Sequence, residues 1–195
     1  MFVSYCSRYV TLTAACVALS AGPLMAQGVP GGLYTIVLPA GQFGSPSFTN
    51  AISQSLGAVK AFCDNLENDA YVVDCLAERL GAVADEIPAG TDYDNVRLAL
   101  DAASDQLATL AKANRDPDLP RGRASQAGST PVKTSRPLTP ISTANAAQVN
   151  RQAIAILEQT ETLLLRSPET SEAQSVHYAR IAEAVGSNKV LLRTS

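Results

Sequence analysis

Two cysteines, Cys63 and Cys75, stand twelve residues apart in the stretch AFCDNLENDAYVVDCLAERL. The chain holds four cysteines; the other two, Cys6 and Cys16, lie in an N-terminal stretch that reads as an export signal. An even count in an exported chain favours one disulfide, because the compartment is oxidising. The spacing is not Cys-x-x-Cys, so nothing points to a thiol-exchange catalyst.

Other residues with chemical potential are scattered. His177 is the one histidine, which leaves no His/Cys metal cluster to assemble. It stands beside Tyr178 and Arg180 with no orienting acid at helical spacing and no Gly-x-Ser-x-Gly motif, so it reads as a surface or interface histidine. "DYDN" (92–95) gathers oxygen ligands but lacks the central glycine and distant glutamate of an EF-hand loop; helix capping accounts for it. Glu158, Glu161, Glu169 and Glu172 lack the Glu-x-x-His partners of a di-iron bundle and read as a solvated face. "GSNK" (186–189) is too short for a phosphate loop. No catalytic residue, metal ligand or cofactor site is therefore assigned. Arg115, Arg121, Arg123, Lys133 and Arg136 form a basic set suited to weak contact with anionic envelope components, with solvation as the plainer reading. Aromatic residues are not interleaved among them, so nucleic-acid stacking has no support.

The elements that must position these residues are helical. Apolar residues at heptad spacing run from Ile52 through Leu56, Val59, Cys63, Leu66, Ala70, Val73, Ala77, Leu80 and Ala84 to Ile87, a pattern that by itself predicts one unbroken helix. Twelve helical residues would hold the cysteines about 18 Å apart, whereas a disulfide needs their Cα atoms within roughly 7 Å. An intramolecular bond therefore requires a break, and "DNLEND" (64–69) is where it fits. Asn and Asp there compete with the helix for backbone hydrogen bonds, and Asn68 or Asp69 can cap a new helix from near Ala70. The alternative is a long helix with free thiols or a bond between chains.

The expected fold is all-α, a small bundle of about five helices with a disulfide-stapled corner. Residues 1–26 read as a signal peptide: Arg8 is followed by an apolar run from Val10 to Ala21, shorter than the roughly 20 residues a bilayer span needs, with cleavage after Ala26. Thr13, three residues before Cys16, does not make a lipoprotein signal. Residues 27–48 form a Gly/Pro-rich irregular arm, in which "LYTIVL" resembles a short strand without an obvious partner. A helical region spans 49–113; a helix after "EIPAG" is capped by Thr91, with Asp94 as a shortened capping-box acid and a seam of Val96, Leu100, Ala103, Leu107 and Leu110. Residues 114–141 carry five prolines and few large apolar residues, a partly disordered linker by composition. Residues 142–195 form a C-terminal helical region packing on the first. Its fourth helix has a face of Val149, Ala153, Ile156, Leu163 and Leu164 that Thr160 interrupts, and Ser167 and Pro168 restart the fifth.

Charge is uneven. Residues 27–118 hold 13 acidic and 5 basic side chains, and residues 119–195 hold 5 and 9. The opposite signs favour packing of the halves on each other or on a second copy. The functional expectation is an exported protein, periplasmic or secreted, acting by protein–protein interaction or scaffolding, with a protein partner or homo-oligomer and no nucleic acid. Two alternatives stand beside it. One is a small-ligand or lipid-binding bundle lined by Phe62, Tyr71, Val72 and Leu76; the other is an envelope enzyme using Tyr71, Tyr93 or Tyr178 with carboxylates.

Overall fold

In the computed structural model, residues 46–127, 131–166 and 172–194 are described. The signal, the arm up to residue 45 and the Ser167–Pro168 restart lie outside them. Helix α1 (Pro46–Asp64) starts three residues before Thr49 and stops within "DNLEND". The chain then turns, and a 3-10 turn (Asp69–Tyr71) leads into α2 (Val72–Asp85). Asn68 has an extended backbone, and its side chain accepts a hydrogen bond from the Ala70 N–H at 2.9 Å, which caps the restart. The heptad pattern is thus cut at the short polar stretch, and Cys63 and Cys75 are bonded with their Cα atoms 5.8 Å apart. Most of the seam survives the break: Ile52, Leu56, Val59, Cys63, Ala70, Val73, Ala77, Leu80, Ala84 and Ile87 are buried, and Leu66, in the turn, is half-buried.

Gly90, with φ at 76°, makes the turn out of α2 in a conformation that other residues rarely adopt. Helix α3 (Asp94–Ala113) follows. Its capping box is displaced by one position: the Asp94 carboxylate reaches back to the Gly90 N–H at 3.0 Å, while the Thr91 hydroxyl accepts from Tyr93 N–H at 3.3 Å. Small residues bring α2 and α3 close. A Cβ on Gly81 would lie 2.8 Å from Ser104 Oγ, and that hydroxyl donates to the Ala77 carbonyl at 2.7 Å.

Helix α4 (Ala146–Leu165) buries Val149, Ala153, Leu157, Thr160 and Leu164. The expected face is corrected in two places. Leu157 belongs to it, and Leu163 is 52% exposed. Thr160 does not interrupt the face; its hydroxyl donates to the Ile156 carbonyl at 2.9 Å, so the buried position carries no unmet polar group. Helix α5 (Glu172–Ser187) runs through Gly186 rather than ending there, and a 3-10 turn (Asn188–Val190) leads to the short α6 (Leu191–Thr194). Leu191 and Leu192 of the terminal "VLL" are buried against the bundle, and Val190 is exposed. Gly186 is where the Glu161 carboxylate crosses α5 on its way to Lys189 (2.5 Å); a Cβ there would run into it.

Between α3 and α4 the chain does not simply link two helical units. Strands β1 (Ser125–Gln126) and β2 (Val132–Lys133) pair antiparallel, and isolated bridges at Gly122↔Leu138 and Arg115↔Ile141 continue the pairing to the base of the hairpin. Composition reads this segment as a linker because few of its residues are large and apolar. Leu138 and Ile141 nonetheless reach the core, and polar contacts with α2 hold the rest.

Candidate functional site

The hairpin lies along α2 with its second strand antiparallel to the helix axis. Ile141 N–H donates to the Ala70 carbonyl at 2.8 Å, Thr139 N–H to Asp74 at 2.6 Å and Ser135 N–H to Glu78 at 2.7 Å. Residues 70, 74 and 78 recur at one helical turn, so a single stripe along the 3-10 turn and α2 receives the strand. The ladder register changes midway. Gly122 pairs with Leu138 and Ala124 with Thr134, so Arg123 alone faces Ser135, Arg136 and Pro137. Such a bulge re-aims a side chain. Here it sends Arg136 to Asp74, where two guanidinium nitrogens bind the two carboxylate oxygens at 2.6 and 2.7 Å.

Asp74 is fully buried, and Glu78 and Arg79 nearly so. Glu78 and Arg79 form a two-point ion pair, Arg79 also donates to the Lys133 carbonyl at 3.2 Å, and its guanidinium lies 5.1 Å above the Phe62 ring centroid. Burial pushes the Glu78 carboxyl upward, but hydrogen bonds from Arg79 and Ser135 and the charge of Arg79 outweigh it and hold the carboxyl below its ordinary value. The hydrogen bonds that Arg136 donates to Asp74 raise it above the ordinary arginine value against its partial desolvation.

The five basic residues thus divide. Arg136 is committed to Asp74. Arg123 is exposed but folds over the bulge, donating to the carbonyls of Thr134 and Ser135 at 2.9 and 2.6 Å. Arg115, Arg121 and Lys133 are exposed.

The stapled corner and the hairpin enclose a cleft of about 420 Å³. Residues 65–68 and Tyr71 form one wall, residues 122–125 the other, and Leu138 contributes beneath. Tyr71 O–H donates to the Pro120 carbonyl at 2.7 Å and ties the walls together. Of the four residues considered for a ligand pocket, Tyr71 lines this cleft, while Phe62, Val72 and Leu76 are buried in the core.

A second polar cluster was not legible from spacing. The Thr49 hydroxyl lies 2.9 Å from Tyr93 Oη and 2.9 Å from His177 Nδ1, joining the starts of α1, α3 and α5 across 44 and 128 residues of sequence. Tyr178 O–H donates to the Asp92 carbonyl at 2.6 Å, and the Tyr93 ring stacks on Tyr178 and meets Phe48 edge-on. A hydroxyl beside an imidazole is the geometry of a nucleophile and its base. Thr49, however, is fully buried, so the contact works here as a clamp between helices. Burial, with the nearby Asp92 charge, raises the Tyr93 phenol against the opposing hydrogen bond from Thr49. Burial is also the main cause of the raised Tyr178 phenol. Among the described residues no group of three or more His, Cys, Asp and Glu side chains is placed to hold a metal ion, and no helix is long and apolar enough to cross a membrane.

Comparison with family models, with curated proteins and with solved structures finds no match for this chain.

Proposed function

We propose that this protein is exported to the periplasm or beyond after cleavage following Ala26, and acts by protein–protein interaction, presenting the hairpin as a shaped surface on a helical platform. The observation that carries this reading is the buried charge network under the hairpin. A buried ion pair contributes little net stability compared with apolar packing of the same volume, because both charges lose their hydration. It does fix geometry. Asp74 and Glu78 set which backbone amides of the second strand meet α2, and so fix its register together with the buried Leu138 and Ile141.

Two further observations support the setting. The Cys63–Cys75 bond suits an oxidising compartment. Arg115, Arg121 and Lys133 stand outward on the hairpin, where they give an anionic envelope component or the acidic rim of a partner something to meet. The partner is a second protein or another copy of this chain.

The test is site-specific photo-crosslinking in the native host, with the photoreactive residue at Arg121 on the hairpin or at Thr109, exposed on α3. The expected result is a discrete adduct from the hairpin position. A chain that crosslinks to nothing from either position and sediments as a monomer would overturn the interaction reading.

A further inference from the structure

The hairpin leaves one edge of its first strand unpaired, and that edge borders the cleft. Gly122 exchanges both backbone bonds with Leu138, at 3.2 and 2.7 Å. The Ala124 carbonyl accepts from Thr134 N–H at 3.0 Å, and the Ala124 N–H donates to the Thr134 hydroxyl at 3.2 Å. Backbone groups alternate in direction along a strand. With Gly122 and Ala124 turned toward the second strand, the N–H and C=O groups of Arg123 and Ser125 turn away from it. Gly122 adds no bulk, since even a Cβ built there meets nothing within 4 Å.

Charge decides the kind of occupant. Glu67 lines the cleft, is exposed, and has no hydrogen-bond or ion-pair partner among the described residues. Across the cleft, Arg123 has its guanidinium engaged by the Thr134 and Ser135 carbonyls. Those carbonyls are neutral, so Arg123 keeps its charge but is held against the second strand; the charged group of the cleft left without a partner among the described residues is the Glu67 carboxylate. The usable edge is also short: Pro120 precedes it, and its carbonyl already accepts from Tyr71. Proline and charged residues are how an edge strand resists open-ended sheet pairing, so a short segment fits here better than another sheet.

Resting on the interaction reading above, we propose that the cleft binds an extended peptide segment of a partner protein as an added strand. Its main chain pairs with the outward N–H and C=O groups of Arg123 and Ser125, and a lysine or arginine side chain of the segment meets Glu67. Main-chain pairing supplies affinity, and the carboxylate supplies selectivity.

The test is selection of a displayed random-peptide library on the intact, oxidised protein, followed by amide hydrogen exchange on the protein with and without the strongest selected peptide. Expected are β-branched sequences with a basic residue at one common position, slowed exchange at Arg123 and Ser125, and binding about tenfold weaker to Glu67→Lys. Glu67 is an exposed corner residue, so this variant should fold, which its circular dichroism and melting temperature verify. Absence of enrichment, proline-rich winners, a footprint away from residues 65–71 and 121–126, or unchanged binding to Glu67→Lys would each overturn the proposal. So would a peptide-free footprint on the same edge that grows with protein concentration, which would place a second copy there. Failure here with hairpin adducts still forming in the host would leave the interaction reading standing; loss of both would remove it.

Discussion

Replacing Arg136 by alanine should destabilise the protein by about 2–3 kcal/mol, far more than an ordinary surface arginine. Asp74 has no exposed surface and accepts three hydrogen bonds, two from Arg136 and one from Thr139 N–H. Arg136→Ala leaves that carboxylate buried with a single donor, and breaking a buried pair from one side costs about 3–5 kcal/mol. The arginine side chain is itself 38% exposed, so water reaches the vacated site and recovers part of that cost. Asp74→Ala with Arg136→Ala should cost less than the sum of the single changes, because no charge is then stranded. Urea titration with the disulfide intact gives the stability change, and amide exchange at Thr139 shows whether the hairpin has lifted. Arg121→Ala, as an exposed control, should stay within about 0.5 kcal/mol. If Arg136→Ala behaves like Arg121→Ala and the Thr139 amide keeps its protection, the buried network does not hold the hairpin.

The other expectations concern the bundle. Changing both Cys63 and Cys75 to serine should cost about 3 kcal/mol in urea titration, the chain-entropy value for a loop closed over this separation. On α4, Leu157→Ala should cost about 2–5 kcal/mol and Leu163→Ala less than about 0.5 kcal/mol, reversing the order the apolar pattern suggests. Gly186→Ala should lower the melting temperature by displacing Glu161, and adding Glu161→Ala should restore part of the loss. Glu78 is held below its ordinary value of 4.5, so its contribution is full above that pH and is lost as pH falls through the lower folded value. Glu78→Gln should therefore flatten the acid limb of a stability–pH profile, read as urea midpoints below about pH 5.

The corner was legible in the sequence because two requirements met on six residues. Cysteine geometry demanded a break, and "DNLEND" was where helix propensity was weakest. The third helix was legible for a similar reason: turn residues and an apolar seam agreed on its limits. Pattern failed at Leu163 and Leu157 because adjacent leucines leave the phase of a helix ambiguous, and a buried threonine looks polar until its hydroxyl is seen bonding back to the helix. The hairpin was illegible for a deeper reason. Apolar periodicity reports burial of side chains, whereas this element buries Leu138 and Ile141 but is otherwise held by backbone amides and one bulged arginine meeting carboxylates on α2. Asp74, Glu78 and Arg79 sit within an otherwise apolar stretch, and two acids with a single base at buried helical positions were the available signal. The Thr49–His177 contact gave no such signal, since its partners are brought together only by the fold.

These features converge on one turn of α2. Asp74 and Cys75 are consecutive: one holds the hairpin from outside and the other is bonded to the end of α1. The position of α2 relative to α1 therefore also sets the position of the hairpin relative to the corner, which is the width of the cleft. A helical bundle alone would not need this. Its core already buries Leu76, Leu80, Leu100, Leu107 and Leu157, which orders the helices without a surface strap. The polar network adds shape rather than core, because it fixes the separation of two walls that carry an unanswered carboxylate on one side and an unpaired strand edge on the other. Perturbing the staple should thus be felt at Arg123 and Ser125, whereas loosening the α4–α5 contact at Gly186 should not.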